Sequence, residues 1–491
     1  MTLKHVQLAR YLVALVGTAN VGLRGVHATY PNYRLSPIDG SVIALPTQDQ
    51  LDFQDKEMGI LVHFEIATYL DIDGCNGVPG LVPDPSLFDP EQLDTDQWME
   101  SITAFGAKYA TLVAKHNCGF LNWPSNITFL TRENTTNPYN YSVAYSPVKK
   151  DVVRLFADSA VKYGIGHGFY YSTIVNNFLN VQKNVVNATW GPGEVRVSNE
   201  TYDEIVFEHL TDLWTSYGEL TELWFDGGWS DSQTQQIQEM LLRYQPHANI
   251  FNSCTTNGTC LSSNAIRWIG TESGLPNQEI WSTGVSNDGG DPASPYFAPA
   301  ECDTTLQTGI RWFWGVDQPL RSLDEMIDVY HQTVGRNCLL ELDLAPGRNG
   351  LVPEAHATRY KELGDFIRSC YGSSVAPEIA NTTTSTDIVF TFEIPTAVDR
   401  IVIMEDQSSG QVIRAYSVFA KVVEPGNASK TSDVQWTLLS SGESIGHKRI
   451  DIFEETIVVT AVTVNATKFV DTPVWRSVTF HLCGNLSSIP A

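Results

Sequence analysis

From about Leu51 to Tyr371 short apolar runs alternate with stretches of helical periodicity, and that alternation leaves few architectures open. Gly59–Phe64, Tyr109–Ala114, Ile165–Ser172, Leu220–Phe225, Asn249–Ser253, Ile266–Gly270, Ile310–Trp314 and Leu339–Leu344 read as buried strands. Asp96–Phe105, Asp151–Tyr163, Tyr202–Tyr217, Gln233–Tyr244, Leu323–Val334 and Pro353–Arg368 read as helices between them. Ser322 is placed to cap the helix at Leu323, with Glu325 three residues on to complete a capping box. No helix is visible between the fifth and sixth strands, so one unit is expected to be irregular. Strands buried on both faces and separated by helices predict an α/β fold, a (β/α)8 TIM-like barrel. The alternative is an open doubly wound sheet, whose usual G-x-G-x-x-G loop is missing after every candidate strand.

After Cys370 the helical periodicity stops. Asp387–Phe392, Arg400–Met404, Gln411–Val422, Val434–Leu439, Glu455–Val464 and Val474–His481 alternate with Gly, Asn, Ser and Pro turns and predict a C-terminal antiparallel β-sandwich. Carbohydrate binding is one role for it; a packing domain beside the barrel is the plainer one. The expected units are a signal peptide over 1–28, a catalytic barrel over 29–372 and a sandwich over 373–491. Lys4 and Arg10 supply a basic start, Tyr11–Val16 an apolar core, and Val26-His27-Ala28 a small residue for cleavage, with a disordered arm as the alternative. Sequons at Asn126, Asn134, Asn140, Asn187, Asn199, Asn257, Asn381, Asn427, Asn465 and Asn485 favour a secreted, extracellular glycoprotein. The 8 Cys are even in number and scattered, which suits disulfides better than zinc. Cys254 and Cys260 flank Thr-Thr-Asn-Gly-Thr and are expected to close a local disulfide. No other stretch is long and apolar enough to span a bilayer, so no membrane partner is expected. The formal charge of -25 repels phosphate backbones and argues against nucleic acid as a partner.

In such a barrel, functional side chains sit where strands end and loops begin. That rule gathers His63 after the first strand, His116 and Asn117 after the second, Tyr170 and Tyr171 at the third and Asp226 at the fourth. Arg267 and Glu272 lie at and after the sixth, and Glu301 in the loop before the expected seventh. Hydrolysis of a glycosidic bond needs two carboxyl groups, one ionised and one holding a proton. Asp226 and Glu272 are the expected pair. Asp226 follows an apolar strand and is flanked by Trp224, Phe225 and Trp229, where a charge is costly unless used or paired. The plain alternatives are a helix N-cap for Asp226 and an exposed loop carboxylate for Glu272. His63, His116, Asp226 and Glu272 as a metal site rank lower, because no close ligand spacing is present. A serine nucleophile is not supported, since no G-x-S-x-G elbow occurs. No metal and no cofactor is expected.

Together these segments resemble the α-L-fucosidases of glycoside hydrolase family 29. Gly59-Ile60-Leu61-Val62-His63-Phe64 is similar to that family's first strand. Phe105-Gly106-Ala107-Lys108-Tyr109-Ala110, Ala114-Lys115-His116-Asn117-Cys118-Gly119-Phe120 and Trp123-Pro124-Ser125 resemble its second-strand signature. Gly168-Phe169-Tyr170-Tyr171-Ser172 is similar to the third strand, and Leu223-Trp224-Phe225-Asp226-Gly227-Gly228-Trp229 to the nucleophile segment. The resemblance runs over the whole barrel and points to the secreted, fungal-type members. It implies a retaining hydrolase acting on fucosylated glycans, with Asp226 forming a covalent fucosyl-enzyme. Arg267-Trp268-Ile269-Gly270-Thr271-Glu272 resembles the acid/base segment of the subfamily acting on branched α-1,3/1,4-fucosides, which implies Glu272 as acid/base. Pro299-Ala300-Glu301-Cys302-Asp303 resembles a further segment of that subfamily and makes Glu301 a substrate ligand and the second choice for acid/base. Asn117 stands where the family has the second histidine of a pair. Asp73 stands near the place of a family glutamate, and the stacking tryptophan beside it is missing, with Trp123 or Trp314 as substitutes. The implied sugar ligands are therefore His63, His116, Asn117, Trp123, Tyr171, Arg267, Glu301, Asp73 and Trp314. A fucose-binding protein without turnover, and a hydrolase of another hexoside, remain alternatives.

Overall fold

The computed structural model describes residues 30–75, 78, 80–187, 196–276, 278–376, 382–423 and 435–483. The expected signal peptide lies outside these residues. Eight parallel strands close a barrel: β1 (Met58–Val62), β2 (Tyr109–Lys115), β3 (Gly166–Tyr171), β4 (Glu222–Trp224), β5 (Asn249–Phe251), β6 (Ala265–Trp268), β7 (Ala300–Thr304) and β8 (Cys338–Leu344), with β8 paired back to β1. Closure bears out the barrel reading and removes the doubly wound alternative. Alternate residues of the strands fill the interior: Leu61, Val113, Tyr170, Trp224, Phe251, Ile266 and Leu339 pack with Tyr109 and Phe53. Phe53 comes from α1 (Gln48–Gln54) and closes the N-terminal end, its ring centroid 4.8 Å from that of Tyr109.

The outward faces of the strands are equally apolar because helices cover them. These are α2 (Thr95–Phe105), α3 (Val152–Tyr163), α4 (Asn199–Ser216), α5 (Asp231–Tyr244), α6 (Leu323–Gln332) and α7 (Glu354–Tyr371). The Ser322–Glu325 capping box is present, and its two reciprocal bonds satisfy N–H groups that the first turn of α6 would leave unpaired. The connection between β5 and β6 carries no helix, as expected, and is pinned by the Cys254–Cys260 disulfide.

The seventh strand is not where the apolar pattern predicts it. Ile310–Trp314 is a loop, and the seventh strand is Ala300–Thr304. Its sequence, Ala-Glu-Cys-Asp-Thr, aims two carboxyl groups into the barrel, so the apolar signal of a buried strand is absent.

The C-terminal unit is an antiparallel sheet of β9 (Thr383–Thr384), β10 (Asp387–Glu405), β11 (Ile413–Val422), β12 (Trp436–Gly442), β13 (Arg449–Phe469) and β14 (Val474–His481), in the order β9-β14-β10-β13-β11-β12. The two runs expected at Asp387–Phe392 and Arg400–Met404 are one long strand, with register shifts between Thr391 and Thr396 and between Val398 and Arg400. Such irregularities bend long strands and let the sheet fold as a sandwich around Val398, Ile401, Val418, Val464, Trp475 and Phe480. The hairpin Tyr33–Leu35/Val42–Ala44, expected within the barrel unit, contributes Ile43 to this second core, and Arg34 pairs with Asp471 at 2.6 Å. The Cys370–Cys483 disulfide joins α7 to the chain beyond β14.

Candidate active site

A cavity of about 460 Å³ opens where the barrel strands end, and Asp226, Glu272, His63, His116 and Asp73 all line it. Asp226 sits two residues beyond β4, on the inward face that also carries Glu222 and Trp224. It does not cap the following helix: α5 begins at Asp231 and its cap is Ser230, whose N–H is taken by the Gln233 side chain at 3.1 Å. Gly227, at φ +68°, turns the chain here. That φ is strained for any residue with a Cβ, which would also push on the Ile174 terminal methyl 2.2 Å away, so glycine suits this turn.

Tyr170 Oη donates to Asp226 Oδ2 at 2.8 Å. Burial raises the Asp226 carboxyl, and the Tyr170 hydroxyl and Gly227 N–H hold it down by bonding to the charged form. Glu272 lies in the loop after β6, held by the Thr304 hydroxyl, which donates to the Glu272 carbonyl at 2.7 Å. Burial raises its carboxyl too; Trp312 opposes this, while the charges of Asp226 and Asp73 push it further up. Both carboxyls are raised by burial and both accept a hydrogen bond, and they differ in their surroundings. Asp226 has donors aimed at its anion, and Glu272 faces like charges that favour its protonated form.

His63 follows β1 and bonds through Nδ1 to Asp343 Oδ1 of β8 at 2.8 Å. His116 follows β2 and stacks on Tyr170, with ring centroids 5.4 Å apart. Burial pushes the His116 imidazole down to about 3, so this ring is neutral. Asp73 accepts from the backbone N–H groups of Trp312 and Phe313, both at 2.9 Å, and so holds the loop that presents these rings to the cavity. The Cys75–Cys118 disulfide ties the Asp73 loop to the His116 loop.

Six of the expected ligands are placed elsewhere. Tyr171 points outward and its hydroxyl meets His209 Nδ1 at 2.8 Å; the cavity residue is its neighbour Tyr170. The Arg267 guanidinium is buried and donates to the carbonyls of Asp288 and Trp281, bracing the loop after β6; Trp268 faces the cavity instead. Glu301 is inside the barrel one layer below, and Asp303, two residues on, reaches the cavity and accepts from Trp268 Nε1 at 2.6 Å. Burial pushes Asp303 up to about 8. Trp123 is buried, edge-on to His209. Trp314 lies under Arg348, and Trp312 supplies the aromatic wall. Asn117 is buried behind His116 and off the cavity wall, its backbone carbonyl accepting from Asn177 N–H at 3.0 Å. Adjacent strand residues face opposite sides, and when both sides are apolar the sequence holds no signal for which one faces in.

The metal site considered from sequence does not assemble from the cavity residues. Among the described residues, the carboxyl oxygens close enough to share a cation belong to Glu222, Glu301 and Glu341, within 4.8 Å of one another. This layer is fully buried and receives the Thr111 hydroxyl, which donates to Glu222 at 2.5 Å. Burial and mutual repulsion push Glu301 and Glu341 well above the ordinary carboxyl range, so protons neutralise them.

Residues 67–372 match the family model described as Alpha-L-fucosidase. Alpha-L-fucosidase 1 of Arabidopsis thaliana is 28% identical over 364 residues, covering 70% of this chain; the chain spans 64% of that relative's length. The crystal structure of a glycoside hydrolase 29 family member from an unknown rumen bacterium is 27% identical with TM-score 0.74, covering 90% of this chain and 78% of that one. A Ruminococcus gnavus GH29 fucosidase in complex with fucose shares the fold, with TM-score 0.68, 20% identity and coverage of 92% and 97%. Plant and bacterial relatives such as these lend no support to a fungal-type member.

Proposed function

The chain belongs to the alpha-L-fucosidase family, and from that premise we propose that it is a retaining hydrolase that releases terminal α-L-fucosyl residues from glycans. The observation that carries this reading is the pair of unlike carboxyls, Asp226 and Glu272, in one cavity at the mouth of the barrel. In the first step the ionised Asp226 attacks the anomeric carbon while Glu272 gives its proton to the departing glycosidic oxygen. In the second, Glu272 takes a proton from water, whose oxygen displaces Asp226 from the sugar. Tyr170 and the Gly227 N–H steady the Asp226 charge before attack and after release. His63 and His116 present ring nitrogens for sugar hydroxyls, and Trp312 and Phe313 offer apolar faces to the C–H side of the ring. The wild type should release fucose from an aryl α-L-fucoside and Asp226→Ala should not; normal turnover in that variant would overturn the reading. Azide should rescue Glu272→Ala with an activated leaving group, and unaltered activity of that variant would remove Glu272 from the role.

The same reading makes the protein a secreted glycoprotein acting on fucosylated glycans outside the cell. Asn126, Asn134, Asn140, Asn187, Asn199 and Asn257 are exposed and accessible to glycan transfer. All 8 Cys of the chain form the disulfides Cys75–Cys118, Cys254–Cys260, Cys302–Cys338 and Cys370–Cys483, as suits an oxidising compartment. Among the described residues no helix is long and apolar enough to cross a membrane. Peptide mapping of the exported protein, with and without glycosidase, tests cleavage near Ala28 and sequon use. A panel of aryl glycosides separates fucose from other hexoses, and Lewis-type, core-fucosylated and xyloglucan oligosaccharides separate the linkages.

A further inference from the structure

We infer that Asp343 is a positioning residue that keeps a hydrogen on His63 Nε2, so that His63 meets the sugar as a donor toward a hydroxyl oxygen. The inference rests on the fucoside-binding reading of the cavity and assigns the direction of one of its hydrogen bonds. Asp343 points inward from β8, and its Oδ1 lies 2.8 Å from His63 Nδ1. Their side chains are 1% and 4% exposed, so water does not compete for this contact. Nδ1 is committed to Asp343, which leaves Nε2 as the ring nitrogen for a ligand. The imidazole cannot turn freely: Trp312, Phe313, His116 and Tyr170 pack around it with ring centroids 5.1, 5.2, 5.8 and 6.2 Å away.

Counting protons decides the direction. With one proton between them, the pair is a carboxylate accepting from Nδ1–H, Nε2 is a bare acceptor, and the pair carries one negative charge. With two, it is either a carboxylate with an imidazolium or a carboxylic acid donating to Nδ1, and in both Nε2 bears hydrogen and the pair is neutral overall. The groups facing the pair are Asp73 from the loop after β1, whose carboxylate has Arg311 Nε 4.0 Å away, His116 after β2, Tyr170 on β3 bonded to Asp226, and Tyr360 of α7, whose hydroxyl donates to the Asp343 carbonyl at 2.5 Å. No arginine or lysine among the described residues pairs with Asp343. Arg311 sits by Asp73 and not by the pair, so a net negative charge on the pair, buried and with no cation of its own, is the most costly of the three states. Burial accordingly raises the Asp343 carboxyl well above its ordinary range.

The test uses the full chain. Ring 15N shifts of the unliganded, histidine-labelled protein should report a protonated Nε2 on His63 at neutral pH, a result independent of any sugar. Asp343→Leu should mix the tautomers and raise KM for an aryl α-L-fucoside roughly tenfold with a smaller change in kcat. In Asp343→Asn the amide can donate to Nδ1 and restore Nε2–H. KM should recover, and the rise in KM that the wild type shows once the pair loses its second proton at high pH should vanish. A bare Nε2 in the wild type at neutral pH, or wild-type KM with Asp343→Leu, would overturn the inference. Absence of all fucoside turnover with a protonated Nε2 would instead strike the functional reading and leave the dyad standing.

Discussion

The Tyr170 hydroxyl lies 2.8 Å from Asp226 Oδ2 and has that carboxylate as its acceptor. The bond favours the charged carboxylate and so opposes burial, which raises its pKa. Tyr170→Phe removes a donor to the anion, so the Asp226 pKa must rise. In the proposed mechanism Asp226 acts ionised, so the acid limb of the kcat/KM profile should move to higher pH, by about one unit. The alkaline limb, set under the proposed roles by Glu272 and the Asp343–His63 pair losing protons, should stay. Profiles of the two proteins on one aryl fucoside check both limbs.

Asp73 accepts the N–H groups of Trp312 and Phe313. Its work is therefore to hold a loop. Asp73→Ala frees that loop and should raise KM by about tenfold. Asp73→Asn keeps an oxygen able to accept both bonds and should recover most of the loss. Equal damage from the two variants would show that the charge itself meets the sugar.

Trp312 lines the cavity and Trp123 does not. Trp312→Ala should raise KM by about tenfold with little change in melting temperature. Trp123 is 1% exposed, and Trp123→Ala should cost roughly 3–5 kcal/mol of stability while the folded variant keeps the wild-type KM. Thermal melts and Michaelis curves on both variants decide the assignment.

Glu341 is buried with Glu222 and Glu301, and its carboxyl is raised well above the ordinary value. From about pH 4.3, the unfolded value, up to the raised folded value, the native state binds more protons than the unfolded one, so stability falls as pH rises. Glu341→Gln removes this linkage. Its stability relative to the wild type should grow with pH over that window, measured by denaturant melts at a series of pH values. Below pH 4 the two proteins should differ least.

Most of the framework could be read directly. Seven of the eight barrel strands and all six expected helices are present within a few residues of their expected bounds. Those segments announce themselves because burial on one or both faces imposes a period on apolar residues. The strand Ala300–Thr304 was not legible because it puts Glu301 and Asp303 where other strands put aliphatic residues. Its polarity is explained by its neighbours: Trp268 bonds Asp303, and Glu301 shares protons with Glu222 and Glu341.

The sequence by itself determined the barrel with its C-terminal sheet and the placing of Asp226, Glu272, His63, His116 and Asp73 at the cavity. For His63, His116, Asp226 and Glu272 this follows from distance along the chain to the end of a strand or from the loop just after it; Asp73 rests on the family resemblance. Only the tertiary structure decided between Tyr170 and Tyr171, Arg267 and Trp268, Glu301 and Asp303, or Trp312 and Trp314. For Tyr170/Tyr171 and Arg267/Trp268, a strand covered by helix on one side and barrel interior on the other lets one step along it change a side chain's destination without changing the pattern; Glu301 and Asp303 share one face and differ in depth, and Trp312 and Trp314 lie in a loop whose path no periodicity reports. Nor could the sequence pair Asp343 with His63, which are 280 residues apart. Closing β8 against β1 is what brings them together.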